Sequence, residues 1–180
     1  YDMSQVGQAT AYIPMGHGLE PNSYEIYAGA GRANWAIPFR VTDGGFGTRH
    51  VELEQGEAWP VNASDAPEEY ADYQEQILPL LTQRDDTQHW EDVFTTPVVG
   101  DMAAEYGTYT YINSDETPHQ HPGMDIEVPR GTEVVAANTG SVVFAAGLES
   151  TGNTVVIEHG CGLKSLYFHL NSLDVQAEDW

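Results

Sequence analysis

Short β-forming segments separated by glycines dominate the second half of this 180-residue chain. The segments are rich in β-branched and aromatic residues, which favour strands, and the glycines between them suit tight turns. Strands that are joined by such short turns pair with their neighbours in antiparallel fashion. The pattern therefore predicts a mainly β fold, with a compact antiparallel β-sheet domain over residues 93–180. The predicted strands are Glu133 to Ala137, Ser141 to Ala146, Thr154 to Glu158 and Leu163 to Leu170.

The first 63 residues predict a second, smaller β unit. Short segments of strand character alternate there with turns that contain Gly, Pro, Asn and Asp. We therefore expect a small N-terminal β module over residues 1–63. Its predicted strands are Gln8 to Met15, Ser23 to Tyr27, Asn34 to Val41 and Arg49 to Leu53.

A connecting helix and a linker are predicted between these two parts, over residues 64–92. Ser64 or Asp65 can cap the helix at its N-terminus, and Pro79 is expected to end or kink it. The polar stretch 82–89 is typical of a linker. The apolar face of the helix consists of Tyr70, Tyr73 and Ile77, at the spacing of successive helical turns.

Acidic residues greatly outnumber basic ones in this chain, with 28 Asp and Glu against 6 Lys and Arg and a net charge of −22. A nucleic-acid-binding protein needs clustered basic residues to neutralise phosphates, and an anionic membrane surface attracts the same residues. The composition therefore argues against both classes of partner. The longest apolar runs have only a few residues, so no membrane span is predicted.

The single cysteine limits the possible cross-links and metal sites, and the first residues indicate a processed chain. Cys161 is the only cysteine, which excludes an intramolecular disulfide and a multi-cysteine zinc site. The chain opens at Tyr1 with neither an initiator Met nor a basic-then-apolar leader, which is the pattern expected of a trimmed or mature product.

The excess of acidic residues predicts a stability that increases with salt concentration. The 22 excess negative charges repel one another at low ionic strength, and salt screens them as the Debye length falls to about 3 Å at about 1 M. We expect the melting temperature, followed by circular dichroism, to rise between dilute buffer and about 1 M NaCl. A melting temperature that stays constant or falls over this range would contradict the prediction.

A histidine and an aspartate near residue 120 form the first candidate site. His121 and Asp125 are four residues apart, and in an extended chain positions i and i+4 point to the same face. Pro122 and Gly123 lie between them and argue against a helix. A converging imidazole and carboxylate are suitable ligands for a zinc ion.

The last predicted strand, Leu163 to Leu170, provides a second candidate through its alternation. One face is apolar and belongs in a core, whereas the other carries a hydroxyl, a phenol and an imidazole, as the wall of a site requires. A solvated outer face is the alternative for the polar side. The two faces consist of Leu166, Phe168 and Leu170, and of Ser165, Tyr167 and His169. His159, by contrast, alternates with apolar neighbours and is predicted to be structural.

The sequence blocks that contain these residues resemble the lysostaphin-like (LytM-type) zinc metallopeptidases in order and spacing. The resemblance covers about residues 93–180 and implies the compact antiparallel β-sheet domain of that family. Members of the family cut peptide bonds in bacterial peptidoglycan. The matching blocks are His121-Pro-Gly-Met-Asp125, Pro129-Arg-Gly-Thr-Glu-Val134, Gly140-Ser-Val-Val143, Gly152-Asn-Thr-Val-Val-Ile-Glu-His-Gly160 and Leu166-Tyr-Phe-His-Leu170.

The resemblance implies roles for three residues. His121 and Asp125 match the first two zinc ligands, and His169 matches the catalytic histidine that hydrogen-bonds the zinc-bound water and stabilises the transition state. The third ligand of the family comes from a His-x-His motif near the end of the domain. This sequence contains no such motif apart from His119-Gln-His121, so the domain is expected to be incomplete at its C-terminus.

The resemblance thus implies a secreted or periplasmic zinc endopeptidase that hydrolyses peptide cross-links of bacterial peptidoglycan. Two other functions stay open. A non-catalytic protein of the same fold would bind the cell wall or regulate a cell-wall amidase. A plain β-sandwich would bind a polysaccharide through exposed aromatic residues, with Trp35 and Trp59 as its candidates.

Overall fold

The computed structural model of the protein describes residues 11–16, 18–30, 33–54 and 70–180. These residues belong to two compact units. The first unit takes its residues from 1–13, 60–101 and 126–180, and the second takes its residues from 14–59 and 102–125.

Strands predominate in both units, and most of them pair in antiparallel fashion, which confirms the fold class predicted from the sequence. No helix among the described residues has the length and apolar character to cross a membrane. The strands are β1 (Ser23–Ala30), β2 (Ala33–Arg40), β3 (Thr48–Val51), β4 (Asp101–Ala104), β5 (Tyr109–Ile112), β6 (His119–Gln120), β7 (Asp125–Glu127), β8 (Ser141–Leu148), β9 (Gly152–Gly160) and β10 (Leu163–Leu170), and the helices are α1 (Ala71–Gln76) and α2 (Leu78–Thr82).

The first unit is built around the three-stranded sheet β10-β9-β8, in which β9 is the central strand. The three strands follow one another through the tight glycine turns that the sequence predicted, so each hairpin forms between chain neighbours. The predicted strands here are confirmed, with β8 and β9 a few residues longer than expected.

Side chains of β9 are buried on both faces of this sheet. Val156 packs with Ile77 and Leu148 on one face, whereas Val155 and Ile157 pack on the other. Because successive side chains of a strand point to opposite faces, this arrangement gives the unit two small apolar clusters that share one strand. The long run of buried residues in β9 follows from that position.

The predicted alternation of the strand β10 is wrong at its end. Leu166 and Phe168 point to the side of Tyr73, but Leu170 packs with Tyr167 against the opposite cluster. A register shift between Tyr167 and Leu170 causes the change, since a β-bulge adds a residue to one strand and reverses the faces beyond it. The alternation of side chains along a regular strand, which was used for the prediction, does not reveal such a bulge.

Two predicted strands are absent from the described residues. Residues 133–137 make isolated backbone hydrogen bonds, from Thr95 to Ala137 and from Val135 to Pro97, without forming a ladder. Of the strand predicted over residues 8–15, positions 11–15 have no regular structure and positions 8–10 lie outside the described residues. β-propensity alone does not form a strand where the chain lacks a neighbour that supplies continuous hydrogen bonds.

The predicted helix is present as two short helices, α1 and α2, that are separated at Ile77. Pro79 lies in the first turn of α2, where its missing N–H is tolerated, so the predicted interruption at this proline is confirmed. Ile77 is fully buried and anchors the helices to the sheet. The predicted caps Ser64 and Asp65 lie outside the described residues.

His159 is a fully buried residue of β9, as its apolar neighbours predicted. Its Nδ1 lies 2.8 Å from the carbonyl oxygen of Thr139, and its Nε2 lies 2.8 Å from the hydroxyl of Ser165. A carbonyl oxygen only accepts hydrogen bonds, so Nδ1 carries a hydrogen. Both ring nitrogens are thereby satisfied within the protein, which indicates a structural role.

The second unit contains a two-stranded ribbon, β1-β2, and the sheet β3-β5-β6. β3 pairs with β5 in parallel, although the segments are more than fifty residues apart in sequence. Residues 48–51, 109–112 and 119–120 therefore share one sheet. The predicted domain boundaries after residues 63 and 92 divide the chain by sequence position, and they remain a prediction.

Asp72 at the start of α1 connects the helix to the β8–β9 turn. The pKa of Asp72 is lowered, and the nearby Ser150 side chain makes the largest contribution. The Ser150 hydroxyl itself has no partner at hydrogen-bond geometry, so the hydrogen bonds of the carboxylate come from backbone donors. The backbone N–H groups of Glu149 and Ser150 donate to Oδ2 at 2.6 and 3.3 Å, and that of Tyr73 donates to Oδ1. The ionised carboxylate is therefore the form that the fold prefers.

We expect Asp72→Asn to destabilise the protein at neutral pH by about 0.5–1.5 kcal/mol, the worth of one or two such hydrogen bonds. A lowered pKa in the folded state stabilises the protein above the unfolded pKa, and this stabilisation is lost as the pH falls through the folded pKa. Urea unfolding at several pH values should therefore show the two proteins converging in acid. A difference in stability that stays constant down to pH 3 would contradict this account.

Candidate metal centre

The backbone on both sides of His121 is held by strand-like hydrogen bonds. β6 pairs His119 with Thr110, and beyond its end the N–H of His121 donates to the carbonyl of Thr108 at 2.9 Å. The N–H of Gly107 in turn donates to the carbonyl of His121 at 2.8 Å. His121 thus extends the edge of the sheet in the second unit, and its side chain is fixed in direction by that backbone.

His121 and Asp125 come together, as their spacing predicted. Pro122 and Gly123 turn the chain between β6 and β7, and Asp125 is the first residue of β7. The Nε2 atom of His121 lies 3.3 Å from Oδ1 of Asp125. The two side chains therefore point at one location rather than at opposite faces of a sheet.

The His121 ring nitrogen in this pair lacks a hydrogen bond. Nε2 is buried and has no hydrogen-bond partner, because its approach to Asp125 does not have the geometry of a hydrogen bond. The Asp125 side chain is 59% exposed and the His121 side chain 21%. A buried nitrogen without a hydrogen-bond partner costs free energy, so a ligand bound to this nitrogen would be favourable.

A zinc ion fits the donor atoms of this pair. Two ligand atoms that each lie about 2.0–2.2 Å from a tetrahedral zinc ion are about 3.3–3.6 Å apart, and the observed separation of 3.3 Å falls in that range. Imidazole nitrogen and carboxylate oxygen are also among the usual ligands of zinc. No group of three or more His, Cys, Asp or Glu residues with the arrangement of a metal site occurs in the described residues, so the pair supplies two ligands.

His169 lies in the first unit, on the bulged part of β10, and its side chain is exposed. Its φ of 55° places it in the left-handed region, which is uncommon for a residue other than glycine. Its N–H donates to the carbonyl of Thr151 at 2.9 Å, which holds this conformation. Bulges often redirect a side chain next to a functional site, and strained residues cluster at such sites.

Gly152 is a residue beside His169 that sequence reasoning did not single out for function. A Cβ at this glycine would lie 3.4 Å from the Cα and 3.5 Å from the Nδ1 of His169. Gly152 also has a positive φ of 63°, which glycine adopts most easily. The only sequence signal for this contact is a glycine at the start of a strand, which by itself indicates a turn.

Tyr167 does not present a free hydroxyl as we expected for a residue of a groove wall. Its ring packs against the cluster of Val155 and Ile157, and its hydroxyl accepts a hydrogen bond from the N–H of Ala137 at 2.8 Å. The same hydroxyl shares a 2.9 Å hydrogen bond with Ser165. Tyr167 therefore ties β10 to the segment before β8.

Of the two tryptophans predicted to bind a polysaccharide, only Trp35 belongs to the described residues. Trp35, a candidate for stacking on a sugar, is 54% exposed on the ribbon β1-β2. Trp59 lies outside the described residues. Cys161, which is flanked by Gly160 and Gly162, occupies the turn between β9 and β10 with a φ of 52°.

The described residues thus define a mainly β protein of antiparallel hairpins with a histidine–aspartate pair suited to a metal ion. Residues 119–180 match Peptidase family M23, and the resemblance to LytM-type peptidases is thereby confirmed over that segment. The match includes both residues of the pair and His169.

Curated relatives agree with this family match over short regions. Cell division protein DipM of Caulobacter vibrioides is 30% identical over 84 residues, which are 46% of this chain and 13% of DipM. DD-carboxypeptidase/endopeptidase Mpg of Neisseria meningitidis serogroup B is 40% identical over 58 residues, which are 32% of this chain and 13% of Mpg. The chain therefore corresponds to a small part of either relative.

A solved structure from Pseudomonas aeruginosa, described as a candidate M23 peptidase, has the same fold. The two structures align with a TM-score of 0.66 over 93% of this chain and 60% of that chain. Their sequence identity is 18%, so the likeness shows a shared fold.

Proposed function

We propose that this protein is a zinc-dependent endopeptidase that hydrolyses peptide cross-links of bacterial peptidoglycan. The observation that carries the proposal is the unsatisfied Nε2 of His121, 3.3 Å from the Asp125 carboxylate and inside the segment that matches Peptidase family M23. The endopeptidase name of the Neisseria relative supports the reaction class. A substrate in the cell wall places the protein in the periplasm, the cell envelope or outside the cell.

In this proposal His121 and Asp125 hold the metal through one nitrogen and one oxygen. A bound zinc ion lowers the pKa of a water molecule to about 7 and polarises the scissile carbonyl. The backbone hydrogen bonds of His121 with Thr108 and Gly107 hold the main chain that carries its ring. Asp125, being more exposed, supplies negative charge that attracts a cation.

His169 is the proposed catalytic histidine. Its exposure leaves the ring accessible to a substrate, and the left-handed backbone at the bulge holds it in a direction that a regular strand would not give. An imidazole has two ring nitrogens that can donate or accept a hydrogen bond, so it can hydrogen-bond the reacting groups. We assign it to hold the attacking water or the oxyanion that develops on the substrate.

The natural protein, purified with zinc and incubated with insoluble peptidoglycan, tests the reaction. Chromatography of the soluble fraction should show released peptides, and a zinc chelator should abolish the release until zinc is returned. Asp125→Asn should reduce release to background, whereas Asp115→Asn, the same change in an exposed turn residue, should leave it unchanged. Release that resists the chelator and Asp125→Asn would contradict the proposal.

A second candidate is a non-catalytic module that binds the cell wall or regulates a cell-wall amidase. The similarity to a protein named for cell division favours this candidate. It predicts that the protein sediments with peptidoglycan without releasing peptides, or that it raises peptide release by an added amidase. The same incubation therefore separates the two candidates.

A further inference from the structure

We propose that Arg130 binds a carboxylate of the substrate peptide beside His169, which makes it a specificity-determining residue. The inference rests on the proposed function, because it assumes that a peptide approaches His169. The proposal is based on how the Arg130 side chain is held, on its charge environment and on its connection to the bulge of β10.

Arg130 is held by a neutral side chain through only one of its donors. Its Nε donates to Oδ1 of Asn171 at 2.6 Å. A guanidinium group has five N–H donors, so the four on the terminal nitrogens are not used by this bond. The terminal nitrogens form the planar fork that binds a carboxylate through two parallel hydrogen bonds. Asn171 thus orients the fork without neutralising its charge.

Arg130 has no acidic partner among the described residues, although the chain has a net charge of −22. Among the described basic side chains of the first unit, Lys164 is paired with Glu158 and Arg84 with Asp86. Arg130, within the same described part of the chain, makes no ion pair and has Asn171 as its partner. An exposed guanidinium that makes no ion pair keeps its terminal N–H groups available for a ligand anion.

The Asn171 that holds Arg130 is also part of the structure that holds His169. Asn171 is two residues after His169, and its carbonyl, with that of Leu170, accepts hydrogen bonds from Nδ2 of Asn153 at 3.2 and 3.0 Å. Asn153 directly follows Gly152, which lies against the His169 ring. Asn171 therefore connects Arg130 to the chain segment that directly follows His169, and Asn153 holds that segment in place.

This arrangement suits a peptide that has a free carboxylate near the bond to be cleaved. His169 would face the reacting carbonyl, and the Arg130 fork would bind the carboxylate and set the register of the peptide. A carboxamide at the same position would lose the charge and one acceptor oxygen. The site would consequently discriminate between a free acid and its amide.

The test compares acetyl-dialanine with its C-terminal carboxamide as probes of the ¹⁵N-labelled protein. We expect the acid, but not the amide, to shift the Nε–Hε resonance of Arg130, and the acid to bind about tenfold more tightly, as charge-assisted hydrogen bonds imply. Arg130→Gln should abolish the preference, and Arg130→Lys should lose most of it because the fork is lost. Arg84→Gln, which removes the same charge elsewhere, should keep the preference.

Equal binding of acid and amide by the parent protein, or a preference that survives Arg130→Gln, would overturn the role of Arg130. These measurements do not depend on peptide cleavage. Failure of peptidoglycan hydrolysis would instead contradict the proposed function, so the two failures are distinguishable. Circular dichroism of each variant checks that the fold is retained.

Discussion

His121→Ala is expected to abolish both the zinc content and the proposed peptidase activity of the natural protein, whereas His169→Ala is expected to keep the zinc and greatly reduce the activity. His121 is assigned as a ligand, and its buried Nε2 has no other partner. His169 is held on β10 by the backbone bond to Thr151, so replacing its ring leaves the ligand pair in place. The His169 variant should lose about 10²–10⁴-fold in peptide release, the usual worth of one acid–base or oxyanion group.

Metal analysis by atomic emission and peptide release from purified peptidoglycan measure the two effects side by side. His50→Ala is a suitable control, because His50 is exposed and stacks on Tyr111 of the neighbouring strand. It should keep both zinc and activity. If His169→Ala loses zinc as completely as His121→Ala, His169 is a ligand and our assignment is wrong. If it cleaves as fast as the parent, the non-catalytic module is favoured.

Among the glycines that the structure describes, Gly160→Ala is expected to cause the largest loss of stability, about 3–5 kcal/mol. A Cβ at this position would lie 1.7 Å from the carbonyl oxygen of Thr87, and the φ of 93° disfavours any side chain. The segment cannot easily withdraw, because the N–H of His89 donates to the carbonyl of His159 at 2.8 Å. Strain and overpacking therefore act together.

Gly162→Ala separates these two causes. Gly162 has a similar φ of 81°, but the nearest atom to its added Cβ is Cγ of Arg84 at 3.9 Å. This variant should lose only the conformational part, about 1–2 kcal/mol. Urea unfolding of both variants measures the difference. Equal losses for the two glycines would show that the contact with Thr87 yields without cost, against our expectation.

The sequence by itself determined the hairpins of the first unit. The β-branched residues of β8 and β9, the aromatic residues of β10 and the glycines at the turns encode both the strands and their order, because the pairing is between neighbours in the chain. The same local information predicted the interruption at Pro79 and the buried position of His159. It also placed His121 and Asp125 within reach of each other, since only four residues separate them.

Contacts between distant segments were decided by the tertiary structure. The parallel pairing of β3 with β5 joins residues whose sequence separation leaves no local signal. Strands β4 to β7 have at most four residues each, which is too short for an alternation pattern to be recognised. The segment 133–137 has β-propensity but meets no strand that would complete a ladder.

The bulge in β10 shows most clearly which features the local sequence predicts and which the tertiary structure decides. The sequence predicted His169 as a site residue, which stays a prediction, and placed Leu170 on the same face as Leu166, because regular alternation was assumed. The structure adds a residue between Tyr167 and Leu170, turns His169 into the left-handed region and sends Leu170 to the opposite cluster. Residue type and local spacing thus predicted the candidate site residues, whereas the conformation at His169 depends on hydrogen bonds to Thr151 and Asn153 that form only when the sheet is assembled.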